Sequence, residues 1–192
     1  MHVKVKDAES WNRLFDSWNR DVRPGATGFL GATVGMTDDG DAVAVARFES
    51  AELARQNSER PAQSAWYETA SESFAGEPTF HDCTEVDIVF GGGSDAATYV
   101  QVMEGRAKSA AEMRSTMPTL EDELRRVRPD LLGSTIAWHG DGGSFTQVAY
   151  FTSEAEARKN EVLMADEPAF ERFGELLDGE MAYYDLRNPK FA

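Results

Sequence analysis

The side chains best suited to chemistry lie in the first half of the chain and combine an amide, aromatic rings and an imidazole. They are Asn57, Trp66, Tyr67, His81, Trp11 and Trp18. Rigid aromatic rings provide stacking area for a planar ligand, and an amide can hydrogen-bond a phenol. An imidazole could take a proton from a phenol near neutral pH. These residues are therefore the predicted lining of a ligand pocket.

The same residues also have a structural interpretation. Trp66 on an amphipathic helix is typical of a core side chain. Asn57 falls where a helix must turn, which favours a C-cap asparagine. At the matched positions of the second half, Ala169 replaces Trp66 and Tyr184 replaces His81. We therefore expect any site to belong to the first half, with the second half in a structural role.

The chain lacks the common patterns of metal and phosphate ligands. None of its three histidines lies three or four positions from another, as helical metal ligands do. The run Asp38-Asp39-Gly40-Asp41 lacks the ligand spacing and distal glutamate of a calcium loop, so it predicts an acidic hairpin turn. Gly91-Gly92-Gly93-Ser94 lacks the lysine of a phosphate-binding loop and predicts a linker. We expect neither a metal nor a cofactor.

Composition argues against several classes of partner. The 192 residues include 34 acidic and 19 basic side chains, for a formal net charge of −15. This charge repels nucleic acid phosphates and anionic lipid headgroups. No apolar run reaches the roughly 20 residues of a spanning helix, and the N-terminus has no apolar signal segment. We expect a cytoplasmic protein that binds neither nucleic acid nor membrane.

The sequence repeats itself. Residues 45–57 and 148–160, at an offset of 103, share the pattern V-A-x-F-x-S-x-x-x-A-R-x-N. That is seven identities in thirteen positions, where composition alone would give about one. Upstream an offset of 105 matches two Val-Arg-Pro runs and pairs Gly28 with Gly133, and the two-residue difference is placed between Gly35 and Gly40. Two copies of one unit are predicted.

Periodicity and turn residues give the second copy the order β-α-β-β-α-β. The predicted elements are strand 98–104, helix 110–127, strands 131–139 and 144–151, a helix beginning after Ser153, a second helical piece opening at Asp166-Glu167-Pro168, and strand 181–186. The first copy repeats this order and ends on a closing strand, Thr79 to Phe90. The predicted domains are 1–90 and 97–192, joined by a linker at 91–96.

This order is the ferredoxin-like arrangement, an antiparallel sheet with both helices on one face. The opposite sheet face carries apolar residues that also need burial, and a second copy is the natural cover. The predicted fold class is α+β, with two ferredoxin-like repeats packed sheet to sheet as a single-chain dimeric α/β barrel.

Two segments resemble a known family. The strand Tyr99-Val100-Gln101-Val102-Met103-Glu104-Gly105-Arg106 and the stretch Tyr150 to Arg158 are similar to the antibiotic biosynthesis monooxygenase-like branch of the dimeric α/β barrel superfamily. The resemblance implies a pocket between sheet and helices, where relatives oxidise small aromatic molecules without metal or flavin. Haem-degrading relatives use a first-strand asparagine, which neither first strand here contains. The resemblance implies a fold strongly and an activity only weakly.

Three functions stay open from the sequence. The first is a cofactor-independent monooxygenase acting on a small aromatic compound. The second is a non-catalytic binding or stress-associated protein, and the third is a structural pseudo-dimer with a degenerate site. The predicted partner is a small aromatic ligand, and the expected oligomeric state is a monomer or weak homodimer.

Overall fold

The structure, a computed structural model, describes residues 1–164 and 167–192. In chain order its elements are β1 (His2–Lys4), α1 (Ala8–Ser17), a π-helical turn (Trp18–Val22), a 3-10 turn (Arg23–Gly25), β2 (Phe29–Met36), β3 (Asp41–Phe48), α2 (Ala51–Ser58), α3 (Pro61–Ser71), β4 (Glu85–Val89), β5 (Tyr99–Arg106), α4 (Ala110–Val127), β6 (Leu131–Trp138), β7 (Ser144–Phe151), α5 (Glu154–Met164), α6 (Pro168–Glu175), β8 (Ala182–Arg187) and β9 (Lys190–Phe191). They form two compact units, and each is mixed α and β with its own antiparallel sheet.

The first unit comprises Met1–Asp82 and Pro189–Ala192. Its sheet has the order β1-β3-β2-β9. Helix α1 begins because the Asp7 carboxylate accepts a hydrogen bond from the Ser10 backbone N–H, 2.7 Å away, as an N-cap. One face of α1 and residues from α3 pack on the sheet. This core is formed by Val3, Val5, Trp11, Leu14, Val34, Ala42, Ala70 and Phe74.

The second unit comprises Cys83–Asn188, with the sheet order β4-β6-β7-β5-β8. Helix α4 begins at the Ser109 cap and buries Met113, Met117 and Leu120, whose spacing of three and four residues forms one apolar stripe. Pro118 lies inside this helix without ending it. Neither α4 nor any other described helix is long and apolar enough to cross a membrane.

The predicted closing strand of the first copy is wrong. Thr79 makes an isolated bridge to His2 in the first unit, whereas β4 pairs with β6 in the second. Burial explains this choice, because Val89 packs into the core of the second unit. Conversely, the first sheet gains β9 from the C-terminus, through pairs such as Thr33 with Phe191. The two units thus differ in strand content from the predicted ranges 1–90 and 97–192.

The predicted offset of 105 is also wrong. The helix caps Asp7 and Ser109 lie 102 positions apart, and β2 and β6 each shift register just before Gly31 and Gly133, again 102 apart. Gly31, rather than Gly28, therefore takes the place that matches Gly133. The offset of 103 holds from β3 and β7 onward, since the two strands pair in the same way after a hairpin one residue longer in the second unit.

Candidate functional site

Two of the predicted site tryptophans are part of the core of the first unit. Trp11 is 6% exposed and belongs to the apolar cluster beneath α1. The half-buried Trp66 packs against the same cluster, and its Nε1 donates hydrogen bonds to the Leu14 carbonyl at 3.2 Å and the Ser17 hydroxyl at 3.0 Å. These bonds join α3 to α1, so the position of Trp66 favours the structural interpretation.

Tyr67 and His81 occupy different environments. The ring of Tyr67 packs between Phe74 and Phe80, with its centroid 6.1 Å from each of theirs. His81 follows Phe80 in the segment after α3 and is exposed. Tyr67 therefore extends the aromatic packing of the first unit, and His81 lies at its surface.

Trp18 and Asn57, by contrast, come together. Trp18 Nε1 donates to Gln63 Oε1 at 2.9 Å, and Asn57 Nδ2 donates to the same oxygen over a longer 3.4 Å. The Trp18 ring also packs against Phe29, with centroids 5.1 Å apart. Trp18 opens the π-helical turn, a distortion that often marks functional sites. Gln63 thus links an aromatic surface to the Asn57 amide.

Asn57 lies in the last turn of α2, which ends at Ser58, so it is not the C-cap. Asn57 is 8% exposed. Its Oδ1 accepts a hydrogen bond of 2.7 Å from Arg60 Nη1. Arg60 Nη2 donates to the Val22 carbonyl at 2.9 Å. The guanidinium therefore joins α2 to the turn that precedes β2. The sequence analysis did not identify Arg60. Its one sequence signal is its position just before Pro61, where α3 begins.

A cavity of about 150 Å³ opens beside this group. It lies between the end of α2 and the turn before β2. Its lining consists of Gly25, Thr27, Leu53, Gln56, Asn57 and Arg60. The Arg60 guanidinium can lie directly against the backbone of residue 25 because that residue is glycine: a Cβ there would lie 2.6 Å from Arg60 Nη2.

The charges around the cavity are unevenly paired. Arg55, on α2, is bound by Glu52 at 2.7 Å and Glu59 at 2.6 Å, and its hydrogen bonds lower the pKa of Glu52. Within the described residues, 1–164 and 167–192, the Arg60 guanidinium donates hydrogen bonds to the Asn57 amide oxygen and the Val22 carbonyl and to no carboxylate. Arg23 likewise contacts Asn19 and the Phe29 ring. The cavity thus borders a guanidinium that pairs with no carboxylate in the part of the chain that the structure describes.

The matched asparagine of the second unit has a carboxylate partner. Asn160, 6% exposed, donates through Nδ2 to Asp130 Oδ1 at 2.7 Å. Asp130 is 3% exposed. Its carboxylate accepts hydrogen bonds from Arg128 Nε at 3.0 Å and from Arg128 Nη2 at 2.7 Å. Arg128 also lies over the Phe151 ring, 5.1 Å from its centroid. An amide, a carboxylate and a guanidinium therefore satisfy one another inside the second unit.

A second polar network of this unit is centred on Asp185. Its carboxylate accepts hydrogen bonds from the Tyr99 hydroxyl at 2.5 Å and Gln101 Nε2 at 2.9 Å, and it pairs with Arg158. Burial raises the pKa of Asp185, but the hydrogen bonds and the Arg158 charge outweigh it and hold the pKa below its ordinary value. Burial and the neighbouring carboxylate raise the pKa of Tyr99. These residues fasten β8 and α5 to β5.

Acidic, histidine and cysteine side chains do not converge elsewhere. Among residues 1–164 and 167–192, no group of three or more could hold a metal ion. Cys83 is half-buried and is not in a disulfide. The cavity beside Asn57 brings polar groups and open space together.

Comparison with protein-family models and with curated proteins finds no match. Solved structures do match. A "putative monooxygenase" from Lactobacillus acidophilus NCFM superposes with a TM-score of 0.69 at 11% identity, covering 100% of this chain and 92% of that one. One from Fusobacterium nucleatum gives 0.71 at 8% identity, covering 99% and 90%. A Listeria monocytogenes "ferredoxin fold protein related to antibiotic biosynthesis monooxygenases" gives 0.51 at 8% identity, covering 96% and 92%.

At these identities the likeness concerns the fold. It covers nearly the whole chain, and with it both units. The predicted mixture of helices with antiparallel sheets is confirmed. The chain shares the ferredoxin-like fold of these solved structures.

Proposed function

We infer that this protein binds a small molecule in its first unit, in the cavity beside Asn57. The observation that carries the inference is the cavity of about 150 Å³, bordered by a buried amide and by a guanidinium that pairs with no carboxylate among residues 1–164 and 167–192. Ligand sites typically combine concave space with a few convergent polar groups. A structural pseudo-dimer would gain nothing from leaving these groups next to open space.

A cofactor-independent monooxygenase acting on a small aromatic compound is the second candidate. The names of the Lactobacillus and Fusobacterium proteins favour it. The rings of Trp18, Phe29 and Phe48, in contact at 5.1 Å and 5.6 Å, give the first unit an aromatic surface close to Gln63 and Asn57. His81 as a proton acceptor, the tandem repeat and the sheet-to-sheet barrel remain proposals.

The size of the cavity separates the two candidates. Pockets for drug-sized ligands typically occupy roughly 300–1,000 Å³. At about 150 Å³ this cavity suits a compact ligand better than a fused aromatic ring system. A compound with several fused rings would need the cavity to widen toward Trp18, for which Gln63 would have to release its hydrogen bond.

The test is native mass spectrometry of freshly purified protein, followed by titration of small acids, phenols and quinones. Asn57→Ala should weaken binding at least tenfold, because the amide borders the cavity. Asn160→Ala is the matched control and should leave binding unchanged, since Asn160 is enclosed by Asp130 in the second unit. Equal losses in both variants, or no binding by any compound, would contradict the proposed function.

A further inference from the structure

The ligand class can be read from what the first unit lacks. In the second unit the environment of Asn160 contains a guanidinium and a carboxylate, those of Arg128 and Asp130. In the first unit the environment of Asn57 contains a guanidinium, that of Arg60, and no carboxylate among the described residues. Two of the three groups are thus present in both units.

The missing carboxylate can be traced to one turn. The backbone N–H of Thr152 donates to the Asp130 carbonyl, and at the matched position the N–H of Glu49 donates to the Gly28 carbonyl. Gly28 therefore stands where the second unit has Asp130, in agreement with the offset of 102 through β2 and β6. The whole turn reads Gly25-Ala26-Thr27-Gly28 and contains no acidic side chain.

The donors that would face an anion are available. A guanidinium has five N–H groups, and Arg60 uses one for Asn57 and one for Val22. The Asn57 amide nitrogen makes only the long 3.4 Å contact with Gln63, whereas the Asn160 nitrogen lies 2.7 Å from Asp130. A carboxylate placed in the cavity could accept from both side chains, as Asp130 does from Asn160 and Arg128.

We propose that the cavity is a binding site for a small organic carboxylate, whose anionic end takes the place that the Asp130 carboxylate has in the second unit. The proposal rests on the proposed function and specifies its ligand. The net charge of −15 disfavours anions in general, so the selectivity comes from the local Arg60 charge within a partly covered site. Leu53 on the wall favours a ligand with an apolar body.

The test uses the full chain and isothermal titration calorimetry at low salt, with sodium propionate as the probe. Propionamide, a neutral molecule of nearly the same shape, and sodium sulfate are the comparison ligands. Propionate should bind saturably, and propionamide and sulfate at least tenfold more weakly. Arg60→Gln should weaken propionate at least tenfold. Equal affinity for propionate and propionamide, or no effect of Arg60→Gln, would overturn the proposal.

A carboxylate introduced into the cavity by substitution provides the sharpest test. Gly25→Asp would place its carboxylate beside Arg60, and Gly25 has no positive φ that would strain a side chain. Gly25→Asn has nearly the same size without the charge, and in both variants the new Cβ would require the Arg60 guanidinium to shift. Gly25→Asp should melt at a higher temperature than Gly25→Asn and should no longer bind propionate. Propionate binding as tight in Gly25→Asp as in Gly25→Asn would contradict the proposal.

The same experiments separate this proposal from the proposed function. If phenols or quinones bind and Asn57→Ala weakens them while propionate does not bind, the ligand class is wrong and the proposed function stands. If none of the ligands binds, both are wrong. A propionate signal that Asn57→Ala and Gly25→Asp leave unchanged would place the carboxylate elsewhere on the protein.

Discussion

The surroundings of Asn57 and Asn160 are the most instructive pair of regions in this protein. Both asparagines are buried and occupy the seventh position of the helix that follows a β-hairpin. Asn160 donates a hydrogen bond to Asp130, which forms an ion pair with Arg128. Asn57 borders a cavity, and its strongest partner, Arg60, comes from the start of the next helix. One asparagine is part of a completed network and the other of an incomplete one.

The difference shows how one scaffold can hold either a structural network or a binding site. A buried carboxylate that is paired and hydrogen-bonded satisfies its neighbours and leaves no room for a ligand. Replacing it by glycine removes the acceptor but leaves the amide in place. In the proposed function, a ligand from solution supplies the missing acceptor.

The largest effect is expected from opening the network of the second unit. Asp130→Ala removes the carboxylate that pairs with the buried Arg128, and breaking a buried ion pair in this way typically costs about 3–5 kcal/mol. The measurement is the free energy of unfolding by urea. Asp39→Ala, in the exposed acidic turn, is the control and should change stability by less than about 0.5 kcal/mol. Similar values for both variants would mean that the network of Asn160 is not structural.

Asp185 should make the second unit sensitive to acid. Its pKa in the folded protein is lowered, so its stabilising effect is fully present above the unfolded pKa of about 4 and is lost as the pH falls through the folded value. Asp185→Asn should lower stability at neutral pH by about 1–3 kcal/mol, because hydrogen bonds to a charged group are lost. Below about pH 3 the difference should shrink. Unfolding curves from pH 2 to 7 would show a constant difference if Asp185 contributes no such charge.

Trp66 should affect stability rather than binding. Trp66→Phe keeps an aromatic ring and removes the Nε1 donor to Leu14 and Ser17, at an expected cost of about 1 kcal/mol. Trp18→Phe is the matched variant, since it removes the donor to Gln63 beside the cavity. Thermal unfolding and propionate titration measure the two effects. A larger loss of propionate binding in Trp66→Phe than in Trp18→Phe would place the site nearer the core tryptophans.

Local patterns predicted the helices and hairpins well. The Ser153 hydroxyl accepts from the Glu156 N–H at 3.2 Å, as its capping sequence indicated. The strand 144–151 and the helix 110–127 have the predicted bounds. The second helical piece is observed from Pro168, while Asp166 lies outside the described residues. Caps, turns and apolar stripes depend on residues that are close together in the sequence, so they could be predicted from it directly.

The pairing of strands that are far apart in the sequence could not be predicted from such local patterns. The pairing of β4 with β6 depends on Val89 fitting a core that includes Met117 and Ile136, which follow it by 28 and 47 residues. The two Val-Arg-Pro runs are identical in sequence, yet the backbone aligns Gly31 with Gly133. Arg60 was missed because a single arginine before a proline has no distinctive pattern. Its role follows only from contacts with Asn57 and Val22.

The most direct test of the central claim is a comparison of the two asparagines in one sample. ¹H–¹⁵N NMR spectra of the full chain, titrated with sodium propionate, report the side-chain amides of Asn57 and Asn160 separately. We predict saturable shifts of the Asn57 amide and the Arg60 Nε–H, with the Asn160 amide unchanged. Unchanged Asn57 signals, or equal shifts of both asparagines, would contradict the account.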